Sequence, residues 1–214
     1  MSNGYRTLAT GTGVHYALFL LSLAAGCSTD TVSPLAYLAK PVVERQVAQF
    51  APGRDLALPV PADLGRTVEA AQMLTAKYNG QTFAFEGRIS ITPERLVMVG
   101  VDGMGRRAMT ASWDGRSLAM ESAPWLPSRV RPGSMLADIV VLYWPEAAVH
   151  KALAPAGCKL LATAKSRQVR CGNDTVLTAK YDWPEGAKWN GTLQYSNLAW
   201  GYEIDAQSKE ITPQ

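Results

Sequence analysis

The sequence predicts a mainly β protein with some α, folded as a curved antiparallel half-barrel with a helical lid. Three observations predict it. Alternating strands joined by tight turns begin at Thr67, the hydrophobic period becomes helical at Pro132, and strands resume after Gly157. Because the helical stripe is strongly apolar, it has to cover a hydrophobic surface, and the concave face of a curved sheet supplies one.

Length and composition favour one sizeable domain. Of the 214 residues, 47% are hydrophobic and 18% are charged, and the charged share is below the roughly 25% usual for soluble domains. This indicates a large core or an apolar surface kept for a ligand, and it excludes disorder. The net charge of +3 falls to +2 without residues 1–26, in which Arg6 is the only charged side chain. So small an excess predicts no nucleic-acid partner.

Residues 1–26 predict a secretory signal. Arg6 supplies the positive start, and the apolar run 14–25 is shorter than the roughly 20 residues that span a bilayer. The segment Leu23-Ala24-Ala25-Gly26-Cys27 resembles a bacterial lipobox, in which the cysteine is acylated and becomes the first residue. Ordinary signal cleavage beside an incidental cysteine is the alternative.

The residue after Cys27 is Ser28 and not the Asp that retains enterobacterial lipoproteins at the inner membrane. By that resemblance, we expect a lipid-anchored protein on the periplasmic face of the outer membrane. Residues 27–66 are predicted to be a lipidated tether and lead-in, with a short helix possible around 42–50. The folded domain is predicted over 67–208, and a polar tail over 209–214.

The strands of this domain predict an antiparallel meander. In the run 82–91, alternation places Phe83, Phe85, Ile89 and Ile91 on one face, and the hairpin dipeptide Asn79-Gly80 joins it to the run 68–78. The runs 95–102, 107–113 and 117–122 follow, and Asp114-Gly115 joins the last two.

The predicted helical insert covers residues 132–154. Leu136, Ile139, Val140 and Tyr143 form one stripe, and Trp144-Pro145 separates a second helix over 146–153. If these side chains line the space beneath the helices without filling it, the result is a hydrophobic pocket; a filled core is the alternative. The predicted lining is Phe83, Phe85, Ile89, Leu96, Met98, Met109, Leu136, Ile139, Val140 and Tyr143.

Cys158 and Cys171 flank two short runs around a polar turn, so a hairpin would bring them close enough for a disulfide. Two free thiols are the alternative. Further strands are predicted near 175–182, 192–197 and 200–205. Because His150 is the only histidine after the signal and no Cys-x-x-Cys is present, no metal site is predicted.

The lipobox, the meander from Thr67, the turn 102–106 and the insert 131–153 together resemble the LolB-like lipoproteins. The segments 132–145 and 198–202 are similar to a LolB-like family often encoded beside aryl-polyene and fatty-acid-type synthesis genes. The resemblance implies a LolA/LolB-like half-barrel with an apolar cavity for acyl chains. LolB receives lipoproteins from a periplasmic carrier, LolA, and places them in the outer membrane.

The resemblance also implies a membrane-contact or cargo-contact turn, because LolB uses an apolar side chain between its third and fourth strands. The matching turn here carries Met104 between Gly103 and Gly105. An exposed Met there would enter a lipid surface. A Met folded back onto the sheet is the alternative.

No arrangement of residues predicts catalysis or a cofactor. His150 lies among apolar helix residues, and Glu86 and Glu121 fall on the polar sides of their strands. We therefore expect a monomeric, non-enzymatic lipoprotein that binds or transfers lipid or lipoprotein cargo, with a LolA-like carrier as a possible partner. The alternative is a non-catalytic accessory of an envelope biosynthesis or export complex.

Overall fold

The computed structural model describes residues 47–211, so the predicted signal and Cys27 lie outside the described residues. The described part is mainly β with two short helices, as the sequence predicts. Its elements are β1 (Val47–Ala51), β2 (Arg54–Ala57), β3 (Val68–Tyr78), β4 (Gln81–Ile91), β5 (Leu96–Asp102), β6 (Arg107–Trp113), β7 (Leu118–Ser122), α1 (Pro132–Tyr143), α2 (Glu146–Leu153), β8 (Cys158–Thr163), β9 (Ser166–Cys171), β10 (Asp174–Asp182), β11 (Gly191–Asn197) and β12 (Tyr202–Glu210).

Ten strands form one open antiparallel sheet in the order β7-β6-β5-β4-β3-β12-β11-β10-β9-β8. The predicted meander is confirmed over β3–β7, and the last strand, β12, joins it to the second half. Asn79 and Gly80 have φ values of 47° and 73°. Positive φ at both central residues is what a two-residue hairpin of type I′ requires, so this dipeptide sets the β3–β4 register.

The sheet is strongly curved. A single small cavity of about 20 Å³ is lined by residues from six strands that are neighbours in the sheet, namely β6, β5, β4, β3, β12 and β11. In a flat sheet the outer two of six strands would be roughly 24 Å apart, because neighbours are about 4.8 Å apart. The sheet must therefore bend around the cavity.

Helix α1 occupies the concave side and is held at its carboxyl end. Arg167 Nη1 donates a hydrogen bond to the Val141 carbonyl at 2.6 Å, and Tyr181 Oη donates to the Leu142 carbonyl at 2.9 Å. The last carbonyls of a helix have no partner within it, so these two buried side chains satisfy groups that would otherwise be costly to bury. No helix in the described residues is long and apolar enough to cross a membrane.

The start of the described chain differs from the prediction. The sequence allowed a short helix around 42–50. This prediction is wrong for residues 47–50, the described part of that range, because they form the start of strand β1. Ala48 and Phe50 are buried at the alternate positions of that strand, and β1 pairs with β2 in a separate two-stranded sheet against α1. The apolar spacing fitted both periods, and packing against α1 selected the extended one.

The end of the described chain also differs from the prediction. Residues 209 and 210, predicted to belong to a polar tail, extend β12 and pair with β3, and the Ile211 amide donates to the Glu69 carbonyl at 2.7 Å. Polar composition was misleading here because alternate residues of this strand face solvent.

Cys158 and Cys171 face each other across the β8–β9 hairpin and are joined by a disulfide, with their Cα atoms 4.2 Å apart. The bond closes the open end of the hairpin, and β8 is the edge strand on this side of the sheet. An edge strand has only one neighbour to hold it, so the covalent link restrains the part of the sheet with the least hydrogen-bonded support.

Candidate functional site

A cavity of about 260 Å³ lies between the sheet and the connection from β7 to α1. We call residues 123–131 of this connection the cover segment. The walls are β3–β6 and β12 on one side, and the cover segment with the first turn of α1 on the other. The residues that line it are Ala76, Tyr78, Phe83, Ala84, Phe85, Gly100, Val101, Asp102, Ala108, Met109, Trp125, Leu126, Pro127, Arg129, Val130, Arg131, Ser134, Met135, Trp200, Tyr202 and Ile204.

The size and chemistry of this cavity suit a hydrocarbon chain. Most of its lining is aliphatic or aromatic. A dry apolar cavity of about 150 Å³ binds benzene, so by proportion this one holds about ten carbon atoms. The smaller 20 Å³ cavity shares Met109 and Met135 with it. Because methionine side chains are flexible, a change of rotamer at either position alters the boundary that the two spaces share.

The predicted lining residues divide into three groups. Phe83, Phe85 and Met109 line the large cavity, and Phe85 and Met109 also line the small one; Ile89, Met98 and Ile139 line the small cavity only. The prediction is wrong for four residues, which belong to the filled core and line neither cavity: Leu96, Leu136, Val140 and Tyr143. The hollow lies beneath the cover segment and the start of α1, not beneath both helices.

Aromatic packing explains why the far end of α1 is filled. The Tyr143 ring stacks on Trp189 with centroids 3.8 Å apart, and Trp189 is only 2% exposed. Gln72 Nε2 donates to Tyr143 Oη at 2.8 Å, so the polar tip of this ring is also satisfied. Trp189 comes from the connection between β10 and β11, which no sequence pattern placed beneath the insert.

The mouth of the cavity is aromatic and basic. Trp125 and Phe83 line the cavity and are 45% and 39% exposed, so their rings reach the surface. The guanidinium of Arg129 lies 5.7 Å from the Tyr78 ring centroid and 5.8 Å from that of Phe83, and the guanidinium of Arg131 lies 4.0 Å from that of Trp200. Sequence reasoning missed the cover segment; Trp125 between Pro124 and Pro127 was the available signal.

The turn that carries Met104 lies at the same end of the molecule. It joins β5 to β6, the third and fourth strands of the large sheet, and Met104 is 79% exposed. Asp102 Oδ1 accepts hydrogen bonds from the Met104 and Arg106 amides at 3.0 and 2.9 Å. The Arg106 guanidinium bonds to the same carboxylate and lies 4.7 Å from the Trp125 ring centroid.

Asp102 and two glycines determine the shape of this turn. The hydrogen bond from the Arg106 side chain, together with those from the backbone amides, lowers the pKa of Asp102, so its carboxylate is ionised at neutral pH. Gly103 and Gly105 flank Met104, and Gly105 has a φ of 78°, a conformation that favours glycine. The tip is therefore an exposed thioether on a turn held in shape by one carboxylate.

A buried polar cluster lies behind the cavity wall. The hydroxyl of Tyr202, which lines the cavity, donates a hydrogen bond to Asp138 of α1, and Asn197 Nδ2 donates one to the same carboxyl at 3.1 Å. Complete burial raises the pKa of Asp138 from 3.8 to about 7, against the effect of these hydrogen bonds. The cluster ties α1 to β11 and β12.

The chain was compared with known proteins. No curated protein matches it. Residues 69–210, which run from β3 to the end of β12 and include every wall of the cavity, match a family described as "Protein of unknown function (DUF3261)". Because the match covers more than half of the sequence, the chain belongs to the DUF3261 family.

Proposed function

We propose that this protein is an outer-membrane lipoprotein that binds an acylated or lipid-like cargo in the 260 Å³ cavity and passes it on, as a LolB-like receptor or chaperone. The cavity is the observation that carries the proposal, because its apolar lining and size suit an alkyl chain. The open, curved sheet with a helix on its concave side fits a LolA/LolB-like half-barrel. The proposal assigns no catalytic step to the chain.

Two further features support the same function. The lipobox ending at Cys27 would tie the domain to a bilayer through acyl chains. The Met104 turn contacts Trp125 at the cavity mouth through Arg106, so an apolar tip stands beside the opening. Cargo leaving the cavity would then emerge where the protein meets the lipid, after delivery by a LolA-like carrier.

Photo-cross-linking tests whether the cavity takes a chain. The full protein in phosphatidylcholine nanodiscs is irradiated with decanoic acid that carries a diazirine near its methyl end, and labelled peptides are mapped by mass spectrometry. We expect labels on peptides of β4, β6 and the cover segment. Labels confined to other surfaces would exclude the proposal and favour the alternative, a non-catalytic accessory of an envelope complex.

A cavity-filling substitution gives the matched prediction. Ala76 of β3 lines the cavity, so Ala76→Phe places a ring in the space that the chain needs. Labelling is expected to fall by about tenfold, because loss of about 1.4 kcal/mol of binding suffices for that. The control is Ala71→Phe on the opposite face of the same strand, which should label like wild type. Equal labelling of the two variants would contradict the cavity assignment.

The role of the turn predicts a separate defect in transfer. Met104→Glu puts a charge on the apolar tip, so release of preloaded dansyl-labelled fatty acid from nanodisc-bound protein to phosphatidylcholine vesicles should slow by about tenfold. Fluorescence transfer measures the rate, and circular dichroism should show an unchanged melting temperature. Met73→Glu is the control, because Met73 is also exposed, at 60%, but does not line the cavity. Wild-type transfer by Met104→Glu would remove the turn from the mechanism.

A further inference from the structure

The charge at the cavity mouth carries information about the cargo. Arg129 and Arg131 both line the cavity, and both are exposed. Within residues 47–211, no carboxylate oxygen lies within 4.0 Å of a nitrogen of either guanidinium. The one acid in the lining, Asp102, is paired with Arg106. The mouth therefore keeps two positive charges without a carboxylate partner in this part of the chain.

The two arginines are held at the edge of the apolar space. Arg131 Nη1 donates to the Arg129 carbonyl at 3.1 Å, which folds that side chain back along the cover segment. Their guanidinium groups lie over the rings of Tyr78, Phe83 and Trp200, and these three rings also line the cavity. Attraction to an aromatic face helps to hold a guanidinium in place, and N–H donors in the plane of the guanidinium that have no other acceptor can bind an anion.

The rest of the lining sets the size of the ligand. Around the two guanidinium groups the lining is aliphatic and aromatic, and the volume of about 260 Å³ suits one chain of about ten carbons but not two.

We propose that the cavity takes a single-chain amphiphile with an anionic head, with the alkyl chain in the hollow and a carboxylate or phosphate at Arg129 and Arg131. The inference rests on the proposed function, since it names the class of ligand for the same cavity. Arginine suits this role because its planar fork of donors matches two oxygens of a carboxylate or phosphate at once. A neutral lipid of equal length would give neither guanidinium an anionic partner.

Head-group preference is the test. The full protein in phosphatidylcholine nanodiscs is labelled with photoreactive decanoic acid or with the matching photoreactive decanol, which share chain and diazirine. The wild type is expected to be labelled about tenfold more by the acid than by the alcohol, because the carboxylate forms one good ion pair at the edge of the apolar site. In the double variant R129Q/R131Q, the ratio of labelling by the acid to labelling by the alcohol should fall to about one.

Two controls isolate charge from general surface effects. Arg88→Gln removes an arginine of β4 that pairs with Glu86 and does not line the cavity, so the preference should persist. R129K/R131K keeps the charge without the fork and should retain part of the preference. Competition by unlabelled decanoate against decyl phosphate shows which head is preferred, and acetate, which lacks a chain, should not compete.

The outcomes separate the two proposals. Equal labelling of wild type by acid and alcohol at the cavity peptides would overturn the anionic head while leaving the lipid-binding function standing. Competition by acetate as strong as that by decanoate would also overturn it, because the site would then bind an anion alone. Absence of cavity labels from both probes would instead exclude the proposed function itself.

Discussion

Trp189→Ala is expected to lower the free energy of unfolding by about 3–5 kcal/mol, the range for deleting a large buried aromatic side chain. Trp189 is 2% exposed and stacks on Tyr143, so its removal leaves a void against the carboxyl end of α1. That end cannot collapse into the space easily, because Arg167 and Tyr181 hold its last carbonyls. Urea titration followed by circular dichroism measures the loss.

The control for this prediction is Trp125→Ala. Trp125 is 45% exposed at the cavity mouth, so its loss should cost about 1 kcal/mol or less. If Trp189→Ala prevents folding altogether, Trp189→Phe serves instead, with an expected cost between those two values. Similar small losses at both positions would show that the core beneath the end of α1 is loosely packed, against the filled core described above.

Raising the pH from 5 to 8 is expected to destabilise the wild type by about 2–3 kcal/mol more than the variant Asp138→Asn. The pKa of Asp138 is raised in the folded protein from 3.8 to about 7, chiefly by burial. Between these values the folded state holds a proton that the unfolded chain has released. The stabilisation that the folded state gains from binding this proton is therefore complete below the pKa of Asp138 in the unfolded chain. It is lost as the pH rises through the pKa of Asp138 in the folded protein.

Asparagine keeps the shape and hydrogen-bonding capacity of the site but does not titrate. The variant Asp138→Asn should therefore not show this loss of stability as the pH rises. The groups around the carboxyl are the hydroxyls of Tyr195 and Tyr202 and the amide of Asn197, and burial raises the pKa of both tyrosines well above the tested range. Denaturation midpoints at several pH values give the comparison. Parallel curves for the two proteins would show that Asp138 does not change its charge there.

Local signals predicted the sheet and the insert. Asn79-Gly80 specified its hairpin because few other residues adopt positive φ twice in succession. The stripe at Leu136, Ile139, Val140 and Tyr143 specified α1 because four apolar side chains at helical spacing need one buried face. Both signals depend only on neighbours along the chain, which explains why they can be recognised without a structure.

The position of the hollow depended on distant residues. Leu136 and Val140 share the stripe with Ile139, yet of these three only Ile139 borders a cavity. Leu136 and Val140 are completely buried in the core, β1 packs against the same helix, and Trp189 stacks on Tyr143 at its end. The cover segment has no hydrophobic period of its own, so no pattern marked Arg129 or Arg131. Sequence reasoning therefore predicted an apolar hollow and three of the residues that line it, Phe83, Phe85 and Met109, but not the cover segment or the charged mouth.

Among the described residues, the last strand along the chain, β12, lies near the centre of the sheet between β3 and β11. It is the strand that joins the five strands from β7 to β3 to the four from β11 to β8. Tyr202 and Ile204 of the same strand also line the large cavity. Any weakening of β12 pairing would therefore separate the two halves of the sheet, leave an unpaired edge on each and open the cavity wall at the same time.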